Sequence, residues 1–170
     1  MFGIDIRKLN PLSGIINREL VGIDFSGNDL KLAHARVSPN KSEIVNLKSR
    51  DISGLAEDDI SKIIGISFNE LKVKNPDIIN TIPSQSVITK NIEIPSVDPH
   101  EIKEIVNLQA GRHTPYSREE IIVDYIDIGT YKHSYTKILL VIVARNVVKR
   151  QFAILDKAGL KLERVFFAPE

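Results

Sequence analysis

The sequence predicts an α/β protein in two parts, and three observations carry that reading. Strand-length apolar runs alternate with longer runs of helical period throughout the chain. Up to residue 84 the order reads β-β-β-α-β. From residue 85 it reads β-α-β-β-α-β, the split βαβ pattern of ferredoxin-like folds. Helices packed on sheets follow from that alternation, and Pro83-Ser84 marks the boundary.

Residues 1–20 mix Pro11, Ser13 and Gly14 with Ile15, Ile16 and Leu20, and are read as an N-terminal tether, with a short interfacial helix as the alternative. Residues 21–25 form a first strand. Ser26-Gly27-Asn28-Asp29 turns the chain, because glycine and asparagine tolerate positive φ. Residues 30–37 return, Pro39-Asn40-Lys41 turns again, and residues 43–48 make the third strand of a meander. A helix over residues 57–72 sets Ile60, Ile63, Ile64, Phe68 and Leu71 on one face, and Asn75-Pro76 ends it. Residues 77–82 are the fourth strand. In the second part, residues 86–94 alternate as a strand. Asp98-Pro99-His100-Glu101 starts a helix with a carboxylate cap, a proline at the first position and a glutamate that reaches back. Ile102, Ile105, Val106 and Ala110 line its face, and Gly111 closes it. Strands over 120–128 and 137–145 join near Gly129. A helix over 147–158 shows Val148, Phe152 and Leu155, Gly159 caps it, and residues 160–167 form a last strand. The expected divisions are thus a tether over 1–20, one subdomain over 21–84 and a second over 85–170.

The bulk properties exclude several classes. Of 170 residues 42% are apolar and 26% charged, which is ordinary globular composition. The net charge is +1 with both signs interleaved, so no nucleic-acid partner is expected. There is no cysteine, which removes disulfides, zinc-thiolate sites and thiol catalysis. The first residues lack a signal-peptide pattern, and the longest apolar run, 138–144, is too short to span a bilayer.

One stretch carries chemistry. Asp24 at a strand end, followed by Ser26, Gly27, Asn28 and then Lys31, can hold a magnesium-bound water and a phosphate, with turn N–H groups facing the anion. The plain alternative is a polar hairpin turn. It is not the glycine-rich loop of P-loop proteins, which carries G-x-x-x-x-G-K before a helix. His34, His100, His113 and His133 lack ligand spacing, so no metal site is expected. No G-x-S-x-G elbow anchors a hydrolase, and no catalytic residue is assigned. Tyr116, Tyr125, Tyr131 and Tyr135 lack an RNA-recognition pattern and are read as packing residues. Pro115 and Tyr116 lie in a helix-to-strand turn that could rim a peptide groove.

Taken together, three stretches resemble the PilM family of actin-like proteins of type IV pilus assembly, related to FtsA. Val21-Gly22-Ile23-Asp24-Phe25-Ser26-Gly27-Asn28-Asp29-Leu30-Lys31 resembles the family's V-G-I-D-I-G-S-S-S-V-K opening. Residues 86–95, with Lys90 where the family has arginine and Pro95 at the end, resemble its V-x-x-R-x-I-x-x-P segment. Residues 101–125, through His113-Thr114-Pro115 to Val123-Asp124-Tyr125, resemble the helix, turn and strand that follow. Leu139 to Arg145, with Ala158-Gly159-Leu160, keeps the family order. The resemblance runs from residue 21 to the end.

It implies an actin-like, ribonuclease-H-like subdomain 1A, incomplete, with an inserted ferredoxin-like subdomain 1C. It also implies a cytoplasmic scaffold at the inner membrane that binds the N-terminal tail of a PilN-type membrane protein, with Lys90, Pro95, Pro115 and Tyr116 as partner-binding residues. Asp24, Ser26, Gly27, Asn28 and Lys31 correspond to the first phosphate loop, with Ser26 where the family has glycine and Gly27 one place later. The family's second phosphate loop and adenosine pocket lie beyond residue 170. ATP and magnesium are therefore expected only with a second domain, and the chain is not expected to be an enzyme alone. The alternatives are an ATP-binding protein completed by that domain, or the cytoplasmic part of a type II secretion platform protein. The first sheet would lack its returning helix, and the uncovered apolar face implies a longer chain or self-association.

Overall fold

The computed structural model describes residues 18–131 and 134–168. They divide into two compact units: residues 84–148 form one, and the residues up to 83 join those from 149 onward in the other.

The discontinuous unit is a five-stranded sheet in the order β3-β2-β1-β4-β8. β1 (Arg18–Asp24), β2 (Asp29–Ser38) and β3 (Lys41–Asp51) make the expected antiparallel meander. β1 begins at Arg18, so residues 18–20 of the expected tether are strand, and residues 1–17 lie outside the described residues. Alternation buries Val21, Ile23, Leu30, Leu32 and His34 on one face. α1 (Glu57–Asn69) covers that face with Ile60 and Ile64, and Glu70 at its end holds Lys48 and Arg50 of β3. Full burial of each such aliphatic side chain is worth about 1.5–3 kcal/mol relative to exposure. β4 (Asp77–Pro83) adds parallel to β1.

β8 (Arg164–Ala168) adds parallel to β4, which corrects the expected boundaries. The βαββαβ run over 85–170 is not one unit. Its first four elements stay together, while its last helix and strand complete the other sheet. β4, α3 (Arg145–Lys157) and β8 make a parallel crossover, and residues 84–148 are an insertion within it. Gly65 of α1 leaves room for the turn after α3, because a Cβ there would stand 3.3 Å from the Ala158 carbonyl oxygen. Arg150–Glu57 at 2.7 Å and Lys157–Asp58 at 2.6 Å clip α3 to α1. A returning helix is therefore present beside α1. The opposite sheet face still carries exposed Ile44 and Leu47.

The inserted unit is a three-stranded antiparallel sheet in the order β5-β7-β6, from β5 (Val87–Ile94), β6 (Ile121–Tyr131) and β7 (Tyr135–Ala144). α2 (Pro99–Gln109) lays Ile102 and Val106 on Ile94, Tyr125, Ile138, Leu140 and Ile142. Asp98 caps α2 by accepting from the His100 and Glu101 N–H groups at 2.8 and 3.0 Å. Glu101 does not reach the cap backbone itself. It accepts from Ser96 Oγ at 2.6 Å, and Ser96 Oγ accepts the Asp98 N–H at 3.0 Å. Gly111 does not close the helix, which runs on into a 3-10 turn over Ala110–His113. Gly159, at φ +76°, ends α3 as expected. No helix among the described residues is long and apolar enough to cross a membrane.

Candidate functional site

The turn between β1 and β2 is closed by Asp24. Its Oδ1 accepts from the Ser26 N–H at 2.9 Å and from Ser26 Oγ at 2.6 Å, an Asx-turn that leaves Oδ2 for a further partner. Among the described residues positive φ occurs at Gly54, Lys72, Asn75, Gly129 and Gly159, so Gly27 and Asn28 do not supply the left-handed step that a nest of alternating N–H groups uses. A Cβ at Gly27 would meet nothing within 4 Å, so the space over the turn is open. Asn28 contributes its carbonyl, which accepts the Ile52 N–H at 2.8 Å and ties the turn to the end of β3.

Strand register extends the site sideways. Asp24 stands opposite Lys31, and Lys31 opposite Ser49. One step beyond the Ile23–Asn80 pair of β1 and β4 comes Thr81. These residues line an open groove of about 590 Å³, whose floor is Gly22 and Ala33 and whose far wall is Leu47. Lys48 also lines it, but Glu70 takes its ammonium, and Lys48 first and Arg50 second hold the Glu70 carboxyl below its usual range. Lys31 remains the groove's uncommitted cation among the described residues. The row thus offers one carboxylate oxygen, one ammonium and two hydroxyls: ligand groups for a phosphate and its cation.

Behind the groove, Asn80 is fully buried and donates from Nδ2 to the Ile23 carbonyl at 2.9 Å. β1 and β4 stop pairing at this point, so the side chain satisfies the last carbonyl before Asp24. Asn80 Oδ1 has no hydrogen-bond partner. The sequence reading missed Thr81, Ser49 and Asn80. A signal existed only for Asn80, a polar residue in the inward rank of the alternating run Ile78-Ile79-Asn80-Thr81-Ile82.

The four expected partner-binding residues all lie in the inserted unit and do not form one site. Lys90 is exposed at the middle of β5, an edge strand, and no ion pair engages it among the described residues. Pro95 follows Ile94, which pairs with Thr136. Pro115 and Tyr116 precede Ile121, which pairs with Ala144, next to the Val143–Val87 pair. Pro95 therefore follows one end of the sheet, and the segment that carries Pro115 and Tyr116 leads into the other end, roughly 23 Å along β5 at about 3.3 Å per residue. Next to Pro95, Glu93 accepts from the Tyr131 hydroxyl, which pushes that phenol up to about 12, and Lys137 stands 5.0 Å over the Tyr131 ring.

Comparison with known proteins bears on both units. The sequence pattern of the family described as type IV pilus assembly protein PilM matches residues 20–166. No curated protein matches the sequence. Among solved structures, a PilM-PilN type IV pilus biogenesis complex aligns at a TM-score of 0.72 and 19% identity, over 89% of this chain and 48% of that one. The cytoplasmic domain of EpsL, an inner membrane component of the type II secretion system of Vibrio cholerae, aligns at 0.60 and 14% identity, over 89% of this chain and 60% of that one. The chain thus spans about half the length of the first structure. Both likenesses are to the fold, a mixed α/β architecture.

Proposed function

Because the chain belongs to the family of the type IV pilus assembly protein PilM, we propose that it is a scaffold of pilus assembly, held at the cytoplasmic side of the inner membrane by binding the N-terminal tail of a PilN-type membrane protein. The match over residues 20–166 carries this reading. The geometry adds a docking edge. β5 has β7 on one side and no strand on the other among the described residues, and an extended tail can add there as a further strand through main-chain hydrogen bonds. Exposed Lys90 at mid-strand would meet an acidic side chain of such a tail. The test is a fluorescence titration of the chain with N-terminal peptides of PilN-type proteins. Saturable binding, weakened by Lys90→Glu, is expected, and a flat titration overturns the proposal. The EpsL likeness favours a second reading within the same class, a platform role in type II secretion, and tail peptides from that system, run in parallel, separate the two.

Nucleotide is the reading from a different class, and the row Asp24, Lys31, Thr81 favours it. In this chain the row is one wall of an open groove. A nucleotide pocket buries most of its ligand and neutralises its charge from several sides. Binding is therefore impaired or absent here, and ATP with magnesium would require a second domain. Calorimetry with Mg-ATP should give no resolvable heat, whereas micromolar binding by this chain would refute the account.

A further inference from the structure

β3 is an edge of the five-stranded sheet, with β2 on one side and no strand on the other among the described residues. Edges are usually blunted by charge or covered. β3 carries charges and a bulge, and it also exposes Ile44 at 66%, Val45 at 45% and Leu47 at 66%. Its backbone has a definite polarity. The Ile52 N–H bonds inward to the Asn28 carbonyl, so by alternation Arg50, Lys48 and Asn46 also bond toward β2, and Ser49 and Leu47 turn their N–H and C=O to the open side. The bulge at Val45 shifts the count by one residue. Beyond it Ile44 and Ser42 stand opposite Ala35 and Val37, so they too turn outward.

We propose that β3 is a self-association edge, which pairs antiparallel with β3 of a second copy of this chain about a two-fold axis between Val45 and Asn46. This register is selected by two independent patterns. It sets outward residues against outward residues, Ile44 against the partner's Leu47 and Ser42 against the partner's Ser49. It also sets Glu43 against the partner's Lys48. Both charges lie on the same sheet face and are already paired within the chain, Glu43 with Arg36 and Lys41, Lys48 with Glu70. The contact extends those rows across the axis and sets the exposed apolar residues of the opposite face side by side, as cross-strand neighbours. The bulges meet at the axis, where Val45 stands beside the partner's Asn46. An isologous contact of this kind closes at two copies.

The test is sedimentation equilibrium of the chain over a concentration series reaching about 1 mM, since a contact of one strand per copy is at the weak end of interfaces. A monomer–dimer equilibrium is expected. Glu43→Lys and Lys48→Glu each place like charges at two symmetric positions and should raise the dissociation constant about tenfold. An equimolar mixture of the two variants should restore association, because every mixed pair again opposes lysine and glutamate. The chain has no cysteine, so Ile44→Cys mixed with Leu47→Cys should give a disulfide-linked heterodimer faster than either variant links to itself. A chain that stays monomeric, charge variants that dimerise like the parent, or a mixture that fails to recover would each overturn the proposal, and none of these outcomes bears on tail binding at β5.

Discussion

Asn80→Asp isolates one buried hydrogen bond that the site leans on. The substitution keeps shape and volume, so no cavity opens. It replaces the Nδ2 donor to the Ile23 carbonyl with an oxygen, in a position with no exposure, and Oδ1 already lacks a partner. The ionised side chain would have two acceptor oxygens, no donor and a carbonyl at contact distance. Desolvation and that carbonyl both raise the acid's folded pKa, and a rise of two to three units, at about 1.4 kcal/mol per unit, costs roughly 3–4 kcal/mol at neutral pH. That is a large share of a typical domain stability of about 5–15 kcal/mol. The pH dependence has a definite sign. A raised folded pKa means that the penalty is near zero below the unfolded value of about 3.9, where the protonated acid can donate to Ile23, grows as pH rises toward the folded value, and is constant above it. Urea unfolding of both chains at about pH 4 and pH 7.5 measures this. A penalty that is equal at both pH values, or below about 1 kcal/mol at the higher one, would refute the assignment of Asn80 as the donor that holds the end of β1.

Other substitutions probe the packing and charge arguments. Gly65→Val would push a branched side chain into the Ala158 carbonyl, 3.3 Å from the Cβ position, and should lower stability by about 1–3 kcal/mol in chemical denaturation, whereas a neutral result would mean that α1 and α3 are not in close contact. Glu19 is held below its usual carboxyl range by Arg36 first and by His34 second. Its contribution is therefore present above the unfolded pKa of about 4.3 and lost as pH falls through the lower folded value, so Glu19→Gln should flatten the acid limb of the stability profile between about pH 5 and pH 3. Gly27→Ala meets open space and no positive φ, so thermal unfolding should be unchanged or raised slightly, by about 0.4–1 kcal/mol, and a clear loss would show that the turn needs glycine.

Much of the architecture was legible because the signals are local. The meander, the Asp98 cap, Gly159 and the helical faces each follow from a few adjacent residues and lie where the sequence puts them. The fate of the last strand was not. Residues 164–168 read as a strand in isolation, but which edge they extend is settled by β4, by Gly65 and by two ion pairs with α1, all distant in sequence. The candidate site divides the same way. Asp24, Ser26 and Lys31 come together because a tight hairpin brings near neighbours into contact. Thr81 and Ser49 enter through the register of two other strands, which side-chain alternation alone does not give. The partner-binding residues follow from the family resemblance alone, which carries no spacing in three dimensions, and strand register puts Pro95 after one end of the inserted sheet and the 115–120 segment before the other.

The insertion within the β4–α3–β8 crossover has a consequence for the order of folding. Ile79 and Arg164 must meet across about 85 residues before the last strand can pair, and most of that span is the inserted unit. Inside that unit Val87 pairs with Val143, so once β5 and β7 have zipped together the two ends of the insertion are neighbours. The span left to close is then about 30 residues, which by the logarithmic cost of loop closure saves roughly 1 kcal/mol in the entropic barrier. Early formation of the insertion is thus expected to speed docking of β8, and a destabilising change in the β5–β7 pair, Ile138→Ala for one, should slow refolding of the five-stranded sheet although Ile138 is no part of it.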